Sequence, residues 1–574
     1  MRTILRTGAL RDLRDLRAPA SAPLRSDFRN LRGHTIRCSP AASSSGFHSK
    51  SQDYSEALGT AAQIPEADPV PPVAQRERIT IADVRERRAK AGRLVAPTAS
   101  YSDADMFKAP TVGKPKAKRW DHHLAKESTL REPCKLKQAA KHLKQPGLIS
   151  LGGGLPCPEY FPISSLTLHI PRPPHFSEAA TLAPDGGEHP EYDLSTALNY
   201  GQANGSAQLT RFATEHTELV HGPIPYADWR VCLTVGSTAA LEQTLRMLCE
   251  CSSNRQDSLL TEEFSFSTAL ETAGPLRVGV VGVPMDEQGL LPGEMERVLA
   301  AWDPRERGGR RKPHVLYTVP SGQNPTGATQ GVGRRREVYE VARRHDLFIV
   351  EDEPYYYLQM PLSGGDDVEG FLEGLIPSYL SMDVDGRVLR MDSFSKVVVP
   401  GSRLGWVTAS EQIIERFIRH AEVANQGPSG FSQVILHKLL DERWGHEGYL
   451  LWLMNLRMEY AKRRDVMVAA CSEFLPREVV SWSTPQAGMF HWLKVNDELH
   501  PHASTKSILE IEDEIFNSCI AKGVLVARGS WFRSEQDKPP SGLYFRATFA
   551  AATPEKMREA IRRLGEAIRE SYRI

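Results

Sequence analysis

From about Leu148 onward, short apolar runs alternate with longer amphipathic segments: "WRVCLTVGS", "DSLLTEE", "PHVLYTVPS", "DLFIVEDEP" and "RVLRMDSFS". Runs of this length without strict apolar/polar alternation predict strands buried on both faces, hence a mostly parallel sheet in an α/β domain. Upstream, Ile79 to Lys90 has the charge spacing of a helix, and "APTVGKPKAKRW" after it reads as a basic, solvated linker. The first 75 or so residues carry recurrent arginine, then Ser- and Pro-rich stretches, and are expected to be a disordered extension. Arginine with serine is also similar to a mitochondrial transit peptide, although Asp12, Asp15 and Asp27 interrupt it. A cytoplasmic location is therefore expected, with the mitochondrion as the alternative.

In open α/β sheets ligands gather at the carboxyl ends of the strands, so the residues just after each run are the informative ones. After "VCLTV", Gly236, Ser237 and Thr238 form a turn that opens a helix, where free N–H groups, the helix dipole and two hydroxyls suit a phosphate. After "HVLYTV" comes "PSGQNPTG" with Asn324. After "LFIV" comes "EDEPYYY", which places Asp352 at a strand end and Tyr355 three residues on. After "RVLRM", Lys396 sits in "SFSKVVVPGSRLGW", flanked by Ser393, Ser395 and Arg403. A lysine partly withdrawn from water becomes a nucleophilic amine, and the serines and arginine suit a nearby anion.

Each feature alone has an ordinary reading as a cap, a salt bridge or a surface lysine. Their succession along one sheet matches the needs of pyridoxal 5′-phosphate: an amine for the aldehyde, a turn for the phosphate, a carboxylate for the ring nitrogen, and Asn324 and Tyr355 for the phenolic oxygen.

Bulk properties narrow the alternatives. The 574-residue chain exceeds what one core usually supports, and its net charge of zero gives no reason to expect a nucleic acid partner. Its eight cysteines show no C-x-x-C pair, which fits a reducing compartment. No apolar stretch approaches the roughly 18 residues of a membrane-spanning helix, so no membrane association is expected. His122 and His123 are adjacent and would diverge on a helix or strand, so no metal is expected there.

The ordered series "ISLGGGLPCPEYFP", "LNYGQANGSAQLTRF", "TVGSTAAL", "SGQNPTG", "EDEPYYY", "SFSKVVVPGSRLGW", "PQAGMFHW", "GVLVARGSWF" and "LYFRATFA" resembles the class I/II aminotransferases of PLP fold type I. The likeness is greatest to the branch of fungal aromatic amino acid and 2-aminoadipate enzymes. The resemblance implies a large domain with a seven-stranded sheet over residues 166–435, a smaller α+β domain over 436–574, and an N-terminal arm with part of the small domain over 76–165.

It also implies roles for individual residues. Lys396 would be the Schiff-base lysine and Asp352 the partner of the pyridine nitrogen. Tyr355 and Asn324 would hold the phenolic oxygen, and Ser237, Thr238, Ser393, Ser395 and Arg403 the phosphate. Phe266 would stack on the ring, in a motif where Phe264 replaces the common proline and leaves the loop's path open. Tyr200 would reach the phosphate of a neighbouring subunit, which implies a homodimer with shared active sites. Arg546 and Gly154 would meet the substrate carboxylate, and Asn324 would also lie against substrate. Arg528, in place of a common proline, has no role assigned by the resemblance.

The implied activity is transamination between tryptophan, tyrosine or phenylalanine and a 2-oxo acid such as 2-oxoglutarate. A 2-aminoadipate or broad-specificity transaminase, or a PLP-dependent lyase, is the alternative. An aminotransferase-like transcription regulator is more distant, because the leader lacks the apolar periodicity of a winged helix.

Overall fold

The computed structural model describes residues 78–574, apart from short breaks at 95, 140–141, 144, 146, 150, 153, 175, 177–178, 182–190, 253 and 361–366. The chain divides into two units, Met1–Gln63 and Ile64–Ile574, and all described residues belong to the second. The expected extension over residues 1–75 lies outside them.

Seven strands form the main sheet: β1 (Trp229–Thr234), β2 (Ser258–Glu262), β3 (Gly279–Val283), β4 (Val315–Thr318), β5 (Phe348–Asp352), β6 (Val388–Ser393) and β7 (Gly405–Ser410). Their spatial order is β1-β7-β6-β5-β4-β2-β3, all parallel except β7, which runs antiparallel to both neighbours. Alternate residues feed two cores. Val315, Tyr317, Phe348, Val350, Leu389 and Met391 point into one, while Leu316, Ile349 and Val388 point into the other. Burial on both faces is why these strands read as continuous apolar runs.

The first core continues into a four-stranded antiparallel sheet of β8 (Val480–Ser481), β9 (Phe490–Val495), β10 (Ala527–Arg528) and β11 (Leu543–Thr548), ordered β8-β9-β11-β10. Eight helices bear on the argument: α1 (Ile81–Ala91), α2 (Ala207–His221), α3 (Ser237–Leu248), α4 (Val332–Arg344), α5 (Glu411–Ala424), α6 (Gly445–Phe474), α7 (Ile508–Ala521) and α8 (Pro554–Tyr572). Helix α1 starts on a capping box between Thr80 and Asp83, which satisfies two orphan donors of its first turn. Its Arg88 then meets Glu215 of α2 at 2.5 Å and Asp441 at 2.7 Å.

The basic stretch after α1 is more than a solvated linker. Lys108 Nζ donates to the carbonyls of Ala227 and Trp229 at 2.9 and 3.1 Å, Lys114 Nζ to Ile224 O at 2.9 Å, and Ala117 N–H to Asp228 at 2.7 Å. Lys108, just before the stretch, and Lys114 within it satisfy backbone carbonyls in and before β1, Lys118 pairs with Asp385 at 2.7 Å, and the stretch ends on buried Trp120. Among the described residues no helix is long and apolar enough to cross a membrane.

Candidate active site

Strand register sets the site. Asp352 ends β5 opposite Met391 of β6, and Ser393 ends β6 opposite Gly405, which in turn pairs with Thr234 at the end of β1. The turn after β1, the end of β5 and the Lys396 segment therefore lie along one rim of the sheet.

At the first of these, Gly236 caps α3 with φ +81°. The positive φ favours glycine there, and a Cβ would come 2.6 Å from Arg403 Nη2 and displace the guanidinium. Arg403 is itself left-handed, with φ +46°. Its Nη1 donates to Pro400 O at 2.9 Å and to Ser395 Oγ at 3.5 Å, and Ser395 N–H donates to Ser393 Oγ at 3.1 Å. Ser237 Oγ is buried without a hydrogen-bond partner. Hydroxyls, a guanidinium and the amide N–H groups of a twelve-residue helix thus converge as an anion-binding corner.

Along the rim, Asp352 is buried. Its Oδ2 accepts from Tyr317 Oη at 2.8 Å, while its Oδ1 has no partner. Burial pushes its carboxyl up to about 7, against the Tyr317 hydrogen bond, which lowers it; Asp392 raises it further. A buried carboxylate with one unsatisfied oxygen is costly unless a donor or cation meets it, so the residues fit a protonated ring nitrogen at this place.

Lys396 is half-buried, three residues beyond the end of β6. Its ammonium is held below the usual lysine range, first by burial and then by the positive charges of Arg403 and Arg546. Arg546, on β11, lies over the rings of Phe490 (4.4 Å) and Phe532 (4.7 Å) and donates to Asn324 Oδ1 at 2.7 Å. Burial lowers its pKa as well. Tyr355 is buried, edge-on to Phe490 at 5.7 Å, and burial followed by the Asp352 charge pushes its phenol up. Phe266 is part-buried against the core on this side.

The structure therefore gathers Ser237, Ser393, Ser395 and Arg403 at one corner. It brings Asn324, Tyr355 and Arg546 together, with Lys396 under the charges of Arg403 and Arg546. Thr238 belongs to the same turn but is exposed. Tyr200, 54% exposed, and the exposed Gly154 stand apart. They line a cavity of about 310 Å³ with Leu136 and Leu143, and none of Lys396, Asp352 and Arg546 is in its wall.

Two open points of the sequence reading acquire structure. Phe264 is buried, edge-on to Trp492 (5.2 Å) and Tyr544 (5.1 Å), and its carbonyl accepts from Gln323 Nε2 at 2.7 Å, so the loop after β2 is pinned to the four-stranded sheet. Arg528 is tied to α7 by Glu512 (3.0 Å) and Asp513 (2.7 Å). The sequence reading missed Tyr317. Strand register, which the sequence does not show, brings it in: Tyr317 pairs in parallel register with Val350, two residues before Asp352, so the two side chains share a face.

The chain has known relatives. A model of the family "Aminotransferase class I and II" matches residues 174–564. An aromatic amino acid aminotransferase of Schizosaccharomyces pombe is 42% identical over 79% of this chain and 98% of its own length. An L-tyrosine:2-oxoglutarate aminotransferase of Tapinella panuoides is 36% identical over 71% of this chain and 81% of its own. The crystal structure of aminotransferase Aro8 from Candida albicans superposes with a TM-score of 0.74 at 38% identity, covering 80% of this chain and all of that one. With a family model matched over residues 174–564 and relatives of this extent, the chain belongs to the class I and II aminotransferases.

Proposed function

We propose that this chain transfers the amino group of an aromatic L-amino acid (tryptophan, tyrosine or phenylalanine) to a 2-oxo acid such as 2-oxoglutarate. Pyridoxal phosphate, the cofactor of the family, supplies an electron-poor ring that withdraws electrons from the substrate's α-carbon when bound. The observation that carries the reading is that a buried carboxylate with an unpartnered Oδ1 closes one strand on the same rim of the sheet where half-buried Lys396 follows the next.

In this reading Ser237, Thr238, Ser393, Ser395 and Arg403 hold the phosphate, Asn324 and Tyr355 the phenolic oxygen, and Phe266 the ring face. Asp352 Oδ1 keeps a proton on the ring nitrogen. Arg546 presents its planar fork to the substrate carboxylate, with Gly154 and Asn324 beside it. Lys396 Nζ, its ammonium disfavoured by burial and by two guanidiniums, would take the α-proton and return it.

The aromatic preference rests on the similarity to the S. pombe and T. panuoides enzymes. The exposure of Tyr200 supports its reaching a second copy's site in a homodimer. The proposed division is a large cofactor domain over 166–435, an arm with part of the small domain over 76–165, and the small domain over 436–574. The proposed location is cytoplasmic.

A donor panel with 2-oxoglutarate as acceptor tests the reading. The kcat/KM for tryptophan, tyrosine or phenylalanine is expected to exceed that for 2-aminoadipate by at least about tenfold, a margin that the burial of one aromatic side chain readily supplies. A reversed ratio assigns the enzyme to 2-aminoadipate, and no 2-oxo acid from any donor refutes transamination.

A further inference from the structure

The sequence reading sends the adjacent rings of His122 and His123 apart, yet they meet. The backbone makes a tight turn after Trp120, in which His123 N–H donates to Trp120 O at 3.0 Å and Leu124 N–H to Asp121 O at 3.3 Å. Neither helical nor strand periodicity applies there, and the ring centroids lie 4.2 Å apart. Both rings reach across to Asp346, in the short connection between α4 and β5. Asp346 adopts a left-handed conformation with φ +53°, which a short polar side chain tolerates.

Both histidines address the same oxygen. His122 Nε2 lies 2.8 Å and His123 Nε2 3.2 Å from Asp346 Oδ2, and the three prospective ligand atoms lie within 4.8 Å of one another. Tetrahedral coordination with bonds of about 2.0–2.1 Å sets ligand atoms about 3.3 Å apart, so small rotations would seat an ion between them. The side chain of His123 is only 5% exposed; its Nε2 faces Asp346 Oδ2 off the ideal hydrogen-bond angle, and its Nδ1 has no partner. A buried polar group left unsatisfied is uncommon and asks for a ligand. Its ring is stacked with Trp120 at 5.6 Å and with His314 at 5.0 Å. Arg255, whose guanidinium approaches the His123 carbonyl at 3.4 Å, has its charge taken by Asp257 at 2.8 Å. His122 and Asp346, each 55% exposed, leave the site open to solvent for entry and for a water in the fourth position.

We propose that His122, His123 and Asp346 bind a divalent transition ion of the Zn²⁺ type. Two imidazoles and one carboxylate favour such an ion over Mg²⁺ or Ca²⁺, which prefer all-oxygen sets. The ion's role is structural: Asp346 precedes the first residue of β5, whereas Asp352 closes that strand at its opposite end. The ion clamps the N-terminal arm to the strand that carries Asp352 and takes no part in catalysis.

The test uses the full-length, cofactor-loaded enzyme, free of any affinity tag and stripped with a chelator. Zn²⁺ is titrated against a chromophoric competitor, alongside His122→Ala and Asp346→Asn, which preserve the turn and the left-handed backbone. The wild type is expected to bind one equivalent at least about 100-fold more tightly than either variant and to gain thermal stability on binding, with transaminase turnover equal in all three. The variants also subtract any Zn²⁺ taken up by cysteines. Absence of that equivalent, or its survival in both variants, overturns the proposal.

Discussion

The end of strand β5 carries three consecutive acids, Glu351, Asp352 and Glu353, and their fates diverge. Side chains alternate across a strand, so Asp352 shares a face with Phe348 and Val350, whereas Glu351 lies on the other with Ile349. On that second face Glu351 meets Arg390 at 3.2 Å and accepts from Tyr379 N–H at 2.8 Å. Arg390 also pairs with Asp392 at 2.8 Å, and Glu353 meets Arg335 at 3.3 Å and Ser321 Oγ at 3.0 Å. On the first face Asp352 has one phenol and an unpaired oxygen. Glu351 and Asp392 have their charge answered within the protein. Glu353 Oε2, like Asp352 Oδ1, has no hydrogen-bond partner, but Glu353 keeps the Arg335 guanidinium at 3.3 Å whereas no ion pair among the described residues reaches Asp352, and this difference separates a structural carboxylate from one available to a cation.

If the comparison is right, substitutions on the open face alter chemistry and those on the closed face alter stability. The largest effect is expected from Lys396→Ala: turnover should fall by about 10⁴-fold or more, because nucleophile and proton carrier go together, and the visible absorption of the reconstituted protein should vanish, while thermal stability changes little. Retained turnover would remove Lys396 from the chemistry.

Next, Arg390→Met leaves Asp392 and Glu351 buried without their cation and should cost about 3–5 kcal/mol in denaturant unfolding. Once the variant is folded, its cofactor affinity should match the wild type; a selective loss of cofactor binding would break the division between the faces.

Asp352→Asn should act in both directions. Turnover is expected to fall by about 10²–10³-fold, since an amide does not hold a proton on the ring nitrogen. The cofactor-free protein should become more stable. With its pKa raised from 3.8 to about 7, Asp352 retains a proton in the folded state that the unfolded chain has released, so its contribution to stability falls as pH rises from about 4 to about 7. Above pH 7 the substitution should recover on the order of 2–4 kcal/mol, and below pH 4 nothing, as read from melting curves at the two pH values. A pH-independent difference would mean that Asp352 is not held protonated in the empty site.

Much of this was legible beforehand. The five apolar runs are strands, and the residues after them stand at one rim of a seven-stranded sheet. The rest was hidden because it arises from geometry between distant segments. Strand β7 runs against its neighbours, a direction that its apolar content does not encode. Phe264 found its place because Trp492 and Tyr544 of another sheet lie across from it. Arg528 was drawn away by Glu512 and Asp513.

The sequence by itself determined five of the seven strands, the phosphate-suited turn at Gly236 and the position of Lys396 and Asp352 just past strand ends, because strand burial, turn conformation and local spacing are properties of short segments. Only the tertiary structure decided which of three adjacent acids is left without an ion pair, which cations bear on Lys396, and that two neighbouring histidines share one carboxylate. Those outcomes depend on electrostatics and packing between residues tens to hundreds of positions apart, which no local pattern contains.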